Sequence, residues 1–229
     1  MRLQKQIWEN EHTTGRQLPG ITTDVPSTGM FQFSELLKNN GIGPLSKIID
    51  IGSGKGRNTI YLAQRGYMVY AIDYIESAMN TLKFAAQQIR LSHKMNFTVG
   101  EIDNAWPFED NFFDAAIDCY SSIDIETKEG RELYKKELFR TLKPKAFACI
   151  MVVSSEDELE KEIAATSPGP EPNSTIWPSG KFQKNYSEEE LRSFYKDFTI
   201  IDLQKLQKPA RKLDRDYTAT NFRMIIQKP

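Results

Sequence analysis

Histidine and cysteine are nearly missing from this sequence: His12, His93, Cys119 and Cys149 are the only examples in 229 residues. No transition-metal site built on nitrogen and sulfur ligands can be assembled from so few. Each cysteine lies inside an apolar segment, which reads as a buried free thiol in a reducing compartment rather than a disulfide. An excess of one charge is missing too. The chain has 30 Lys and Arg against 31 Asp and Glu, so no net field recruits DNA or anionic lipid. A nucleic-acid partner would need a local patch. No apolar run approaches the roughly 18 residues of a membrane-spanning helix; the longest, such as 146–153, suit a buried strand. The opening residues, MRLQKQ, lack the apolar core of a signal peptide. The expectation is a cytoplasmic protein without a membrane partner.

What is present is an alternation of strand and helix patterns. Short apolar runs at 47–51, 68–72, 96–99, 112–119 and 146–153 predict strands. Helical spacing predicts helices over 56–65, 76–90 and 128–142, the first closed by Gly66 and the last stopped before Pro144. Such alternation predicts an α/β fold with a doubly wound, mostly parallel sheet covered on both faces. Residues 167–180, rich in proline and carrying Trp177, have no period and read as a loop. Ser187 and Glu190 form a capping-box signature for a last helix. Two closing strands, 198–206 and 220–227, are joined by a basic connection. Residues 1–46 read as an N-terminal extension or cap with a helix at 31–39. Residues 47–229 then form the main domain, with a lid-like insertion at about 155–186.

The chemistry concentrates where the first strand runs into glycines and then a helix: Asp50-Ile51-Gly52-Ser53-Gly54-Lys55-Gly56. Glycine permits positive φ and close approach of a ligand to the backbone. The helix start offers unpaired N–H groups to an anion. A dinucleotide-binding loop has the spacing G-x-G-x-x-G. Here the spacing is G-x-G-x-G, with Asp50 two residues ahead of the first glycine. A carboxylate there is awkward beside a pyrophosphate but useful beside an ammonium. S-adenosylmethionine carries that ammonium, and a carboxylate for the helix start. The second strand ends at Asp73, where an acid can accept hydrogen bonds from both hydroxyls of a ribose.

Together these stretches resemble class I S-adenosylmethionine-dependent methyltransferases. Residues 49–56 look like the first motif of that family, and Val69-Tyr70-Ala71-Ile72-Asp73 like the second. Val99-Gly100-Glu101-Ile102 and 113–117 resemble its third region and fourth strand, and 138–144 the turn before the fifth strand. The segment 56–66 is similar to tellurite-resistance and thiopurine-type small-molecule enzymes. The resemblance implies a Rossmann-like sheet of seven strands with the last antiparallel, and S-adenosyl-L-methionine as cofactor. It implies that Asp50, Gly52 and Gly54, with Ser53 between the glycines, hold the methionine part and that Asp73 holds the ribose. Tyr74 or Ile75 would cover the adenine, and Glu101 with the Ile102 backbone would meet its edge. Asp118 and Cys119, with Tyr120, would lie beside the methyl donor. Two departures stand out. Lys145-Ala146 replaces the usual glycine pair, and Glu101 stands where Asp is commoner.

The remaining features read modestly. His93 is expected at the surface. His12 reads as an exposed helix end, with a base in a flap over the cofactor as the alternative. Lys205, Lys208, Arg211, Lys212 and Arg215 read as a solvated hairpin tip diluted by Asp214 and Asp216, with a phosphate patch as the alternative. Trp8 and Trp177 would either roof the acceptor pocket or plug the body of the domain. Three functions stay open: a methyltransferase acting on a small molecule, favoured by the balanced charge; one acting on protein or RNA; and a nicotinamide-dependent oxidoreductase or a silent cofactor-binding relative. No catalytic residue and no oligomeric state is legible.

Overall fold

A computed structural model describes residues 3–14 and 23–229. The N-terminal extension is thus described apart from residues 1, 2 and 15–22. It contributes α1 (Leu3–Thr14) and α2 (Met30–Asn39). There follow β1 (Lys47–Ile51), α3 (Arg57–Gln64), β2 (Met68–Asp73), α4 (Glu76–Gln88), β3 (Met95–Val99) and β4 (Phe113–Cys119). Next come α5 (Lys128–Thr141), β5 (Leu142–Val153) and α6 (Glu158–Thr166). The small strands β6 (Ser174–Ile176) and β7 (Phe182–Lys184) precede α7 (Glu188–Phe194), and β8 (Thr199–Lys212) and β9 (Arg215–Gln227) close the chain.

The main sheet has the order β3-β2-β1-β4-β5-β9-β8. The five strands β1 to β5 pair in parallel, whereas β9 runs antiparallel to both β5 and β8. The order reverses beside β1, because the chain steps outward to β2 and β3 and then returns to β4 on the other side. Crevices for ligands open at such a switch point, beyond the carboxyl ends of the strands. The apolar runs have no polar alternation because both faces are covered. Ile49, Ile51, Ala148 and Ile150 face α5 and α7, meeting Tyr134, Leu138 and Leu191. Ile48, Ile117 and Cys149 face the other way, against Phe33, Leu62 and Leu82 of α2, α3 and α4. Both cysteines are free thiols. Among the described residues no helix is long and apolar enough to cross a membrane.

Several expectations change in detail. The 167–180 stretch is not all loop: β6 lies in it and pairs antiparallel with β7. Trp177 is buried at 2% exposure in a small third core with Leu159, Ile163 and Tyr217. It therefore packs in the body of the fold, and its indole N–H donates to Glu160 Oε2 at 3.3 Å. The basic connection is strand rather than loop: β8 and β9 stay paired to Lys212 and Arg215, with only Leu213 and Asp214 between, both at positive φ. The fifth strand starts four residues early, at Leu142. Lys145 takes φ 67° where the family resemblance implies glycine, and its N–H donates to Lys228 O at 3.0 Å.

Candidate active site

The glycine loop is held from below by the end of β2. The N–H groups of Gly52 and Ser53 both donate to Ile72 O, at 2.8 and 3.1 Å. Asp73 then reaches across: its Oδ2 accepts from Gly54 N–H and its Oδ1 from Ile75 N–H, each at 2.8 Å. One carboxylate thus fixes the loop and the start of α4 together. Gly52 and Gly54 have φ of 65° and 54°, a region that costs an L side chain steric strain. Space forbids a side chain as well. A Cβ on Gly52 would lie 2.1 Å from Ser121 Oγ, which donates to Gly52 O at 3.1 Å.

A cavity of about 720 Å³ opens over this loop, within the range of small-molecule and cofactor sites. Gly52, Ser53, Gly54 and Asp73 line it on the loop side. Tyr74, Glu101, Ile102 and Cys119 line it further along the strand ends. Glu101 Oε2 accepts from Asn104 at 2.6 Å, and Ile102 O accepts from the Trp106 indole at 3.0 Å. The other two expected site residues, Asp50 and Asp118, are not among the lining groups. Both are buried carboxylates occupied within the fold. Asp50 Oδ2 accepts from the Thr59 hydroxyl at 2.5 Å, and burial pushes its carboxyl up to about 7. Asp118 accepts from Ser121 N–H at 2.9 Å and from the Tyr134 hydroxyl at 2.7 Å. Burial raises its carboxyl too. Its role in the structure is to shape the turn after β4, where Tyr120 takes φ 71°.

The far wall comes from the N-terminal extension, the insertion and the closing hairpin. Helix α1 lies across the opening, with Gln4, Trp8 and His12 on the cavity. Gln4 anchors it, accepting from Phe182 N–H and donating to Phe182 O, both at 3.0 Å, as a strand would. His12 is buried at 8% exposure, against the expectation of an exposed helix end. Its ring packs against the glycine loop: Cε1 would sit 3.2 Å from a Cβ on Gly54. Burial first, and then the Lys55 charge, lower its pKa to about 4, so the imidazole is neutral. Lys181 and Gln183 line the same wall. So do Lys208, Arg211 and Lys212 of the β8–β9 hairpin, which a solvated tip would not do. His93 is exposed, as expected.

These strand ends, this glycine loop and the cavity above them can be set beside known proteins. Residues 48–145 match the methyltransferase-domain family. Over that stretch the chain is similar to methyltransferase domains. Within the methyltransferases, YqeM of Bacillus subtilis, a protein named for that activity, is 33% identical over 110 residues, 48% of this chain and 43% of its own. The chain spans less than half the length of the curated relatives it matches. A solved S-adenosylmethionine-dependent methyltransferase of Methanosarcina mazei has a TM-score of 0.73 at 24% identity, covering 84% of this chain and 96% of that one. A second is the 1,6-didemethyltoxoflavin N1-methyltransferase of Burkholderia thailandensis, solved with 1,6-didemethyltoxoflavin and S-adenosylhomocysteine bound. Its TM-score is 0.72 at 17% identity, covering 99% and 87% of the two chains. At these identities the structural likeness establishes the Rossmann-like methyltransferase fold, and function has to be argued from the site.

Proposed function

We propose that this chain is an S-adenosylmethionine-dependent methyltransferase acting on a small molecule. The observation that carries the reading is Asp73, which ties Gly54 and Ile75 N–H groups together while lining the cavity above the glycine loop. The residues fit the cofactor. Each Asp73 oxygen accepts one backbone N–H and keeps a second lone pair for a ribose hydroxyl. Gly52 and Gly54 leave the loop flat enough for a ligand to lie on the backbone. Tyr74 supplies an aromatic face, and Glu101 a carboxylate for the adenine edge. Asp50 and Asp118 support these groups from behind, through Thr59 and the Ser121–Ser122 turn.

Bound there, S-adenosylmethionine would supply a methyl on a sulfonium, which is already a good leaving group. What the chain itself must do is align an acceptor and exclude water. We read residues 1–46 as the cap and 155–186 as the insertion beside it: the Gln4–Phe182 pairing supports joining them into one acceptor wall. The small-molecule reading draws support from that wall, which lines the cavity opposite the glycine loop, and from the 1,6-didemethyltoxoflavin bound in the Burkholderia neighbour. A test is to incubate the protein with methyl-labelled S-adenosylmethionine and a cell extract split into low-mass and macromolecular fractions. The reading expects label in the low-mass fraction; label confined to protein or RNA would replace it with the macromolecular alternative.

A further inference from the structure

Charges of both signs line the cavity, with Lys55 and Arg57 beside the glycine loop and Asp124 and Glu126 after β4. Asp73, Glu101 and Asp103 line it at the β2–β3 end of the sheet order. At the β8–β9 end the lining charges are Lys208, Arg211 and Lys212; Asp214 and Asp216 of the same hairpin lie off the cavity. Two of the cations on this side are unusual in their setting. Lys181 is only 2% exposed. Its ammonium donates to Gln183 Oε1 at 2.7 Å and meets Asp124 at 3.5 Å. It stands 4.0 Å from the centre of the Trp177 ring and 5.5 Å from that of Trp8. The Lys212 ammonium approaches the same Trp177 ring, at 5.3 Å, and that of Tyr217, at 5.9 Å. Among the described residues it makes no hydrogen bond and no ion pair.

Lys212 is half-buried, and a cation partly withdrawn from water loses solvation that a ring face only partly restores. Burial accordingly lowers the Lys212 pKa. Of the carboxylates that act on it through space, Glu160 acts most strongly, and its buried Oε1 has no hydrogen-bond partner among the described residues. Asp157 accepts from the N–H groups of Leu159, Glu160 and Thr220. Glu160 Oε2 accepts from Thr175, Trp177 and Asn185, and Glu160 does not line the cavity. Asp124 lines the cavity and accepts from Lys181 alone of the two lysines. Lys181 and Lys212 thus both line the cavity with their ammonium groups near one Trp177 ring, and Lys212 has its donors left over.

We propose that the methyl acceptor carries an anionic oxygen group, a carboxylate or an aryl oxyanion, and that Lys181 and Lys212 bind it. This deepens the methyltransferase reading and rests on it for which end of the cavity receives the acceptor. The lysines are binding groups rather than part of the glycine-loop machinery, so the two readings separate in experiment. The probe is benzoate, a flat carboxylate suited to the Trp8 and Tyr217 rings on the cavity, with neutral benzamide as its control. Each is titrated into protein saturated with S-adenosylhomocysteine, followed by tryptophan fluorescence.

The expected result is benzoate binding, with benzamide weaker by about tenfold or more, the effect of losing a charge-assisted hydrogen bond. Lys212→Gln and Lys181→Gln should each weaken benzoate by about tenfold while S-adenosylhomocysteine affinity holds. Lys181 is hydrogen-bonded in the interior, and its variant can fail by unfolding. Lys212→Gln removes no hydrogen bond and keeps the test open, with a melting temperature at or above that of the parent. Equal binding of benzoate and benzamide, no benzoate binding, or full benzoate affinity in Lys212→Gln would each overturn the proposal. Loss of S-adenosylhomocysteine binding by the parent protein would overturn the function reading instead.

Discussion

Most contacts that shape the glycine loop join residues close together in sequence: Asp73 reaches Gly54 across 19 positions and Thr59 reaches Asp50 across nine, with Ser121 on Gly52 across 69 the longer exception. The contacts that build the opposite wall span the chain. Gln4 meets Phe182 across 178 positions, and Lys208 meets Thr28 across 180. The first region is a strand-loop-helix unit whose geometry its own few residues dictate. The second exists only once the whole sheet has closed and brought α1, β7 and the β8–β9 hairpin to one side. A site divided this way can keep one cofactor while its acceptor wall varies, since each half is encoded separately.

The comparison breaks most severely at Asp73. Asp73→Ala leaves two N–H groups without their charged acceptor, at about 1.5–3 kcal/mol each. We expect S-adenosylhomocysteine affinity to fall by roughly a hundredfold or more. Titration and urea unfolding measure both effects, and a variant that binds like the parent would move the ribose away from this carboxylate. Asp73→Ala is thus a change to the loop itself and not only to a ligand contact.

His12 tests the other wall through pH. Its folded pKa of about 4 lies below the ordinary value of 6.5. A lowered imidazole pKa means that the neutral form is favoured on folding. Its stabilising contribution is complete above pH 6.5 and is lost as pH falls toward and through 4. Between pH 7.5 and 5 this amounts to about 2 kcal/mol. The Asp50 carboxyl, raised to about 7, acts in the opposite sense over that range. The readout is therefore the difference between parent and His12→Gln: the variant should lose about 2 kcal/mol less on acidification. Parallel curves would place His12 in water.

Gln4→Ala should cost about 1–2 kcal/mol, since it strands a buried Phe182 N–H. It should leave S-adenosylhomocysteine affinity within about threefold, because the glycine loop is untouched. A large loss of affinity would mean that the two regions are one. The smallest effect sharpens where they meet. Gly54→Ala incurs left-handed strain and presses on His12 at 3.2 Å. Repeating it in a His12→Gly background should recover about 0.5–1 kcal/mol if the crowding is real, and nothing if backbone strain is the whole cost.

The same division explains what the sequence disclosed. The bounds 47–51 of β1 were legible because a short isoleucine-rich run meets glycine, and Ser187 because its capping box is local: Glu190 N–H donates to Ser187 Oγ at 3.1 Å. Asp73 could be placed for the same reason. The β8–β9 hairpin could not be drawn to its full length, since Lys208, Pro209 and Arg211 give no apolar pattern. Backbone pairing carries those strands past the core to the cavity. β6 has only three residues and exists by virtue of β7. Trp177 read as a candidate roof because an aromatic in an irregular stretch must be covered; that Leu159, Ile163 and Tyr217 cover it depends on α6 and β9. His12 lies in a helix with little apolar patterning, and only its position over Gly54 sets it apart. Asp50 and Asp118 have the positions a cofactor site uses, but hydrogen bonds to Thr59 and Tyr134 turn them inward.

The central claim is that the glycine loop, fixed by Asp73, receives S-adenosylmethionine rather than a dinucleotide. Calorimetric titration of the purified chain with S-adenosylhomocysteine and, separately, with NAD tests it most directly. The account predicts saturable one-to-one binding of S-adenosylhomocysteine at micromolar affinity and no heat from NAD beyond dilution. Micromolar binding of NAD with none of S-adenosylhomocysteine would contradict it.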